Sequence, residues 1–289
     1  MASPSLPSVK PHSPLGSGMV RRMVRSQIHL IGGGPGTLGA FRRHMTAALR
    51  PFRLAKKTPL VAYVGAASGD NAGFQRMIGD EIVKAGGRVS GVKLASPRAR
   101  LSAARTLLEG ADVVFVSGGD VEAGMKILQD RGALPVFRAL AEAGRPMVGI
   151  SAGSIMLGRA WVRFPADGAG HPELFPCMGM ADLYVDAHAE EDDWAELRAL
   201  LRLVGRTRAR STRSQARGGG RPRAPVGYGL TQKGGIRVEP DDERGVKVTP
   251  FGTPTPRFVA RAGRVVKAPP LLLGSVARAP VQPPLDVPD

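Results

Sequence analysis

The chain has 289 residues, of which 43% are hydrophobic and 22% charged, enough for a sizeable buried core. No apolar run approaches the ~20 residues that span a bilayer, the basic Pro/Ser-rich start lacks the apolar stretch of a secretory signal, and a single cysteine, Cys177, excludes an intrachain disulfide, so a cytoplasmic protein without membrane contact is expected. The net charge of +17 is concentrated in residues 1–26, with four basic side chains and no acid, and in residues 202–223, with eight arginines and no acid, whereas residues 27–201 hold 20 basic and 18 acidic side chains, a distribution that points to solvated segments and makes nucleic acid an unlooked-for partner.

Residues 1–26 are expected to be a disordered basic tail. From Gln27 short apolar runs alternate with amphipathic segments. Ile28-His29-Leu30-Ile31 predicts a strand, followed by a Gly-rich turn and a helix near Thr37–Leu49. Leu60–Val64 is the next strand, and apolar positions at Phe74, Met77, Ile78, Ile82 and Val83 have helical spacing. A strand at Val89–Leu94, a helix at Leu101–Leu108 and a strand at Val113–Val116 follow, then helices near Val121–Gln129 and Pro135–Ala143 and a strand at Pro146-Met147-Val148. Strands that are apolar throughout and alternate with helices imply an α/β fold with a parallel sheet flanked by helices on both faces.

After residue 160 the rhythm changes. Leu183-Tyr184-Val185 predicts a short strand and Asp193–Leu203 an amphipathic helix. Residues 205–225 lack apolar periodicity and are expected to be a disordered Arg-rich insert. Strands resume at Tyr228–Leu230, Ile236–Val238, Val246–Val248, Phe258–Ala260 and Val265-Val266, predicting C-terminal β-hairpin additions packed against the main sheet. The domain is thus expected over residues 27–266, with a Pro-rich tail at 267–289.

The chemistry centres on Gly149-Ile150-Ser151-Ala152-Gly153, between a buried strand and an apolar helical run. Gly-x-Ser-x-Gly in that setting is the nucleophile elbow, a turn too tight for side chains at the glycines, with the serine strained so that Oγ stands above the sheet. The amide of Ala152 then faces a developing oxyanion. As a bare pentapeptide it is equally a small-residue turn that permits close packing. A base is needed within reach. Of five histidines, His12 lies in the tail, His29 within the first strand and His44 on an early helix, leaving His171, in a loop, and His188, which follows a strand and precedes an acid-rich loop. The orienting acid is expected to be Asp167, with Glu173 and Asp186 as alternatives, Asp186 lying two residues from His188 and so, on a strand, sharing its face; Asp182 also lies between serine and histidine. Val116-Ser117-Gly118-Gly119-Asp120, a strand running into two glycines and a helix, offers a second oxyanion donor. Gly34-Pro35-Gly36-Thr37-Leu38-Gly39 satisfies G-x-G-x-x-G, but the second strand ends at Gly65-Ala66-Ala67 without the acid a dinucleotide ribose needs. Cys177 has no elbow around it, and no cluster has metal-ligand spacing, so neither cofactor nor metal is expected.

These motifs, with Leu30-Ile31-Gly32-Gly33-Gly34, Gly65-Ala66-Ala67-Ser68, Val185-Asp186-Ala187-His188 and Gly227-Tyr228-Gly229-Leu230, make the chain resemble the S51 serine peptidases, which include aspartyl dipeptidase (dipeptidase E) and cyanophycinase. The resemblance runs from about Gln27 to Val266. It implies a class I glutamine amidotransferase-like, flavodoxin-like fold, Ser151 as nucleophile, His188 as base, and Gly119 with Ala152 as oxyanion hole. It further implies hydrolysis of small peptides or isopeptides through an acyl-enzyme. Cyanophycinases carry Gln after the Val-Asp and arginines after the His; this chain has Ala187 and then Ala189-Glu190-Glu191-Asp192-Asp193, which argues against cyanophycin and favours a cationic group over a free aspartate. A non-catalytic binding protein on the amidotransferase-like fold is the alternative, and a homodimer is left open.

Overall fold

The computed structural model describes residues 26–165, 171–214, 224–241, 245–261 and 263–280. Residues 1–25, Asp167, residues 215–223 of the Arg-rich insert and the end of the chain from residue 281 lie outside the described residues.

In chain order the first half comprises β1 (Ile28–Ile31), α1 (Leu38–Ala48), α2 (Arg50–Leu54), β2 (Leu60–Val64), α3 (Ala72–Lys84), β3 (Arg88–Val92), α4 (Leu101–Gly110), β4 (Val113–Val116), α5 (Val121–Asp130), α6 (Leu134–Glu142), β5 (Met147–Ile150) and α7 (Ala152–Leu157). The second half adds β6 (Ala160–Arg163), β7 (Glu173–Pro176), β8 (Tyr184–Ala187), α8 (Ala195–Ser214), β9 (Val226–Leu230), β10 (Gly235–Asp241), β11 (Gly245–Phe251), β12 (Thr255–Arg261), β13 (Arg264–Leu271) and β14 (Ala277–Pro280).

An eight-stranded mixed sheet in the order β14-β11-β10-β1-β5-β4-β2-β3 forms the centre. Its strands from β1 to β3 run parallel. Strands β1, β4 and β5 are buried along their whole length, as continuous apolar runs covered on both faces must be. On one face Phe41 and Met45 of α1 and Ile78 and Ile82 of α3 pack against Ile31, Tyr63 and Phe115. On the other, Leu108, Met125, Phe137 and Met156, from α4 to α7, pack against Leu30 and Val114.

Strands β10, β11 and β14 join antiparallel, beginning with Ile28 opposite Val238. The sheet is therefore not wholly parallel, and two of the expected C-terminal strands extend it instead of packing against it. Their alternation gives the reason: Ile236 and Val238 are buried while Arg237 and Glu239 are half exposed, the period-2 pattern of a half-solvated antiparallel strand. Strands β12 and β13 instead build a second sheet, β13-β12-β9-β8, whose Tyr184, Phe258 and Val265 pack under Leu197, Leu200, Leu201 and Val204 of α8.

Parts of two segments expected to be irregular form regular elements. Helix α8 continues to Ser214, nine residues past the expected start of the insert, because arginine is a good helix former and extends a helix already anchored by its apolar first half. The tail expected from residue 267 contains the rest of β13 and all of β14. Pro269, Pro270 and Pro280 fall on the outermost strands of the two sheets, where a missing amide donor is tolerated. Helix α2 and the β6–β7 ladder were not anticipated.

Candidate active site

Loops leaving the C-terminal ends of β1, β4, β5, β8 and β9 meet at one place, the usual location of a site in an open α/β sheet. Ser151 follows β5 with φ 53° and ψ −127°, a conformation that non-glycine residues adopt only when their surroundings impose it. The surroundings here are backbone. A Cβ on Gly149 would lie 2.7 Å from the Gly153 carbonyl oxygen, and one on Gly153 would lie 2.7 Å from the Ser117 oxygen and inside the envelope of the Val116 oxygen. Ser151 N donates to Ile31 O at 2.9 Å. Ser154 Oγ accepts from Ile31 N at 2.9 Å and donates to Ile31 O at 2.8 Å, pinning the first turn of α7 to β1.

His188 leaves β8 with φ 45°, its amide donating to Leu230 O at 2.8 Å. Its Nε2 is 2.8 Å from Ser151 Oγ, within the reach required of a nucleophile and its base. Among the described residues the ring has no other hydrogen-bond partner. His29 and His44 are elsewhere, packed beside Phe251 and bonded to Gln27 Oε1 and Lys233 O. Burial, with Arg237 and His44 nearby, holds His29 down to about 4.

The loop after β4 lies against the serine. A Cβ on Gly118 would be 3.1 Å from Ser151 Cβ and 3.5 Å from its Oγ. Gly119 has φ 142°, and a side chain there would overlap the Ala67 carbonyl oxygen. The next residue, Asp120, donates its amide to that oxygen at 2.8 Å and caps α5 by accepting from Ala123 N at 2.7 Å. Among the described residues, neither the Gly119 nor the Ala152 amide is hydrogen-bonded to an acceptor.

None of the described acids hydrogen-bonds His188. Glu173, on β7, pairs with Arg163 at 2.7 Å, and buried Asp182 pairs with Arg159 at 2.5 Å. Asp186 is buried, and its Oδ1 accepts from Ala187 N at 2.8 Å. Strand alternation sends Tyr184 under α8, while Val185 and Ala187 join the core beneath α7. Asp186 accordingly shares Tyr184's side, near Glu196 and Asp192. The expectation that it shares a face with His188 fails because the strand ends at Ala187 and the left-handed backbone at His188 redirects the chain.

Burial lifts the Asp186 carboxyl to about 7, with Glu196 and Asp192 adding to the rise and the amides of Ala187 and Leu197 opposing it. A carboxyl that ionises near 3.8 when unfolded but near 7 when folded contributes most to stability below pH 4. That contribution falls as pH climbs to about 7 and is flat above. Asp186→Asn should remove the slope. Its unfolding free energy should match the parent's near pH 4 and exceed it by up to a few kcal/mol above pH 7.5. Urea unfolding across this range checks it; parallel curves would overturn it.

A rim around His188 was missed by sequence reasoning. A Cβ on Gly34 would lie 3.9 Å from His188 Cβ and 3.5 Å from Gln232 Cγ, and Glu190 Oε1 accepts from Gln232 N at 2.8 Å. The Gly-rich loop considered for a nucleotide thus flanks the histidine. The triple glycine was the available signal: Gly33 and Gly34 both have positive φ, and a side chain on Gly32 would collide with the Thr231 carbonyl oxygen.

The family model of peptidase family S51 matches residues 28–211. No curated protein sequence matches the chain. Among solved structures, a peptidase from an acI-B1 Actinobacterium superposes with a TM-score of 0.63 at 13% identity, covering 89% of this chain and 98% of the other. A peptidase E protein from Listeria monocytogenes EGD-e gives a TM-score of 0.47 at 12% identity, covering 84% and 98%. At these identities the first likeness is one of fold.

Proposed function

The chain belongs to peptidase family S51, and from that membership we propose that it is a serine peptidase that hydrolyses small peptides or isopeptides through Ser151 and His188. The observation that carries this reading is the 2.8 Å approach of Ser151 Oγ to His188 Nε2 at a serine held in a left-handed backbone. Oγ attacks the scissile carbonyl while its proton passes to Nε2. The oxyanion is received by the amides of Ala152 and Gly119, whose freedom from other acceptors among the described residues supports the role. Protonated His188 then delivers its proton to the leaving amine, and water repeats the sequence on the acyl-enzyme.

Asp167 takes the orienting role in this scheme. It lies in sequence between nucleophile and base, and Glu173 and Asp186 are engaged with Arg163 and Ala187. Cys177 is not a competing nucleophile: burial pushes its thiol up, far from the thiolate form. The order β3-β2-β4-β5 corresponds to 2-1-3-4 of the doubly wound order, which supports a flavodoxin-like, class I glutamine amidotransferase-like arrangement.

A fluorophosphonate probe with mass-spectrometric mapping tests the reading. The expected result is a single adduct at Ser151 that disappears in His188→Ala. Folded protein that takes no label at Ser151 would favour a binding protein on the same fold.

A further inference from the structure

A cleft of about 480 Å³ opens beside the nucleophile, lined by Ser68, Asn71, Phe74, Met77, Gly118 and Gly119. Gly118 and Gly119 belong to the loop that touches Ser151 and, on the peptidase reading, binds the oxyanion. The cleft is therefore continuous with the place of the scissile carbonyl. None of the residues around His188 (Gly34, Glu190 or Gln232) lines it. Since the base protonates the leaving amine, the leaving group belongs on the His188 side and the cleft on the side of the carbonyl donor.

Apart from the Asn71 side-chain amide nitrogen, the lining side chains are apolar or already engaged. Asn71 Oδ1 accepts from Phe74 N at 2.9 Å as the cap of α3, and Ser68 Oγ donates to Gly65 O at 3.0 Å. No charged side chain contributes to the wall. Met77 is 41% exposed at the cleft, apolar surface that a bound side chain would cover. The neighbouring carboxylate of Asp70 is turned away, accepting from the amides of Leu94 and Ala95 at 2.7 Å each. An acidic substrate side chain would meet no cation here, and a basic one no anion.

We propose that this cleft is the specificity pocket for the residue supplying the scissile carbonyl, that it selects apolar side chains such as Leu and Phe over Asp or Arg, and that Phe74 and Met77 set the preference. The proposal rests on the serine peptidase reading above.

The experiment separates the two. α-Aminoalkyl diphenyl phosphonates bearing Leu, Phe, Asp or Arg side chains phosphonylate Ser151 at rates that report the side chain on the carbonyl side, while a plain fluorophosphonate reports the nucleophile alone. The expected result is second-order labelling about tenfold or more faster for the Leu and Phe probes than for Asp or Arg. Met77→Arg, a substitution at an exposed position, should slow the Leu probe and quicken the Asp probe, each rate taken relative to fluorophosphonate labelling of the same variant. Phe74→Ala should slow the Phe and Leu probes relative to the Asp and Arg probes. Fluorophosphonate labelling with equal rates for the four phosphonates, with Asp or Arg fastest, with none of them reacting, or with rates indifferent to Met77→Arg would overturn the pocket and leave the peptidase reading standing. Failure of the fluorophosphonate itself would overturn both.

Discussion

Ser151→Ala is expected to lower kcat/KM for peptide hydrolysis by about 10⁴ to 10⁶, with no change in fold. The size follows from the geometry. Oγ is the atom within 2.8 Å of His188 Nε2, and removing it leaves only the oxyanion amides and substrate binding to act on water. The fold should be indifferent, because the φ of 53° at this position is imposed by Gly149, Gly153 and the bonds to Ile31, and alanine tolerates it no worse than serine. His188→Ala should cost a similar factor, and the double variant little more than either alone, since each partner is idle without the other. Initial rates on a dipeptide panel, with circular dichroism as the control, decide the matter. Activity within tenfold of the parent in Ser151→Ala would end the serine mechanism.

Gly153→Ala is expected to be among the most damaging single-methyl additions in the core. The added Cβ would press on two backbone oxygens, those of Val116 and Ser117, and backbone in the centre of a sheet cannot yield as a flexible side chain does. Relief requires β4 or α7 to move, so a loss of about 3 kcal/mol or more is expected, lowering Tm by roughly 10 °C for a domain of this size. Gly110→Ala is the comparison: nothing lies within 4 Å of its added Cβ, and at the end of α4 the change should be neutral or mildly stabilising. Thermal unfolding of both variants tests the pair. Equal Tm values would mean that the elbow can open without cost.

The parallel half of the fold was legible because its strands are uninterrupted apolar runs and its helices keep a 3.6-residue period, as in Val113–Val116 and in α3. Ser151 and His188 could be singled out for a different reason: each sits where a strand gives way to a turn, and the glycines around Ser151 mark a turn too tight for side chains. What stayed hidden depends on contacts distant in sequence. Strand β10 pairs with β1 across some two hundred residues, and two hydrophobic side chains in seven, Ile236 and Val238, give no hint of which edge they will meet. Arg-rich and Pro-rich composition suggested irregular chain where α8 and β13 stand, since composition cannot register the apolar anchor at one end of a helix or the edge position of a strand. The side of β8 taken by Asp186 was misjudged because one left-handed residue, His188, cancels strand alternation.

Ser151 rises from β5 of the large sheet and His188 from β8 of the smaller one. No strand hydrogen-bonds the two sheets together among the described residues; the join is packing, with Met156 and Leu157 of α7 in one cluster with Leu183 and Val185 and the Arg159 amide donating to Leu183 O at 2.9 Å. The Ser151–His188 pair is thus a caliper set across a seam. On the peptidase reading its opening is governed by side chains outside the pair, so methyl-sized changes along α7 and β8 are expected to act as a throttle, trimming the rate in small steps while the two groups stay the same.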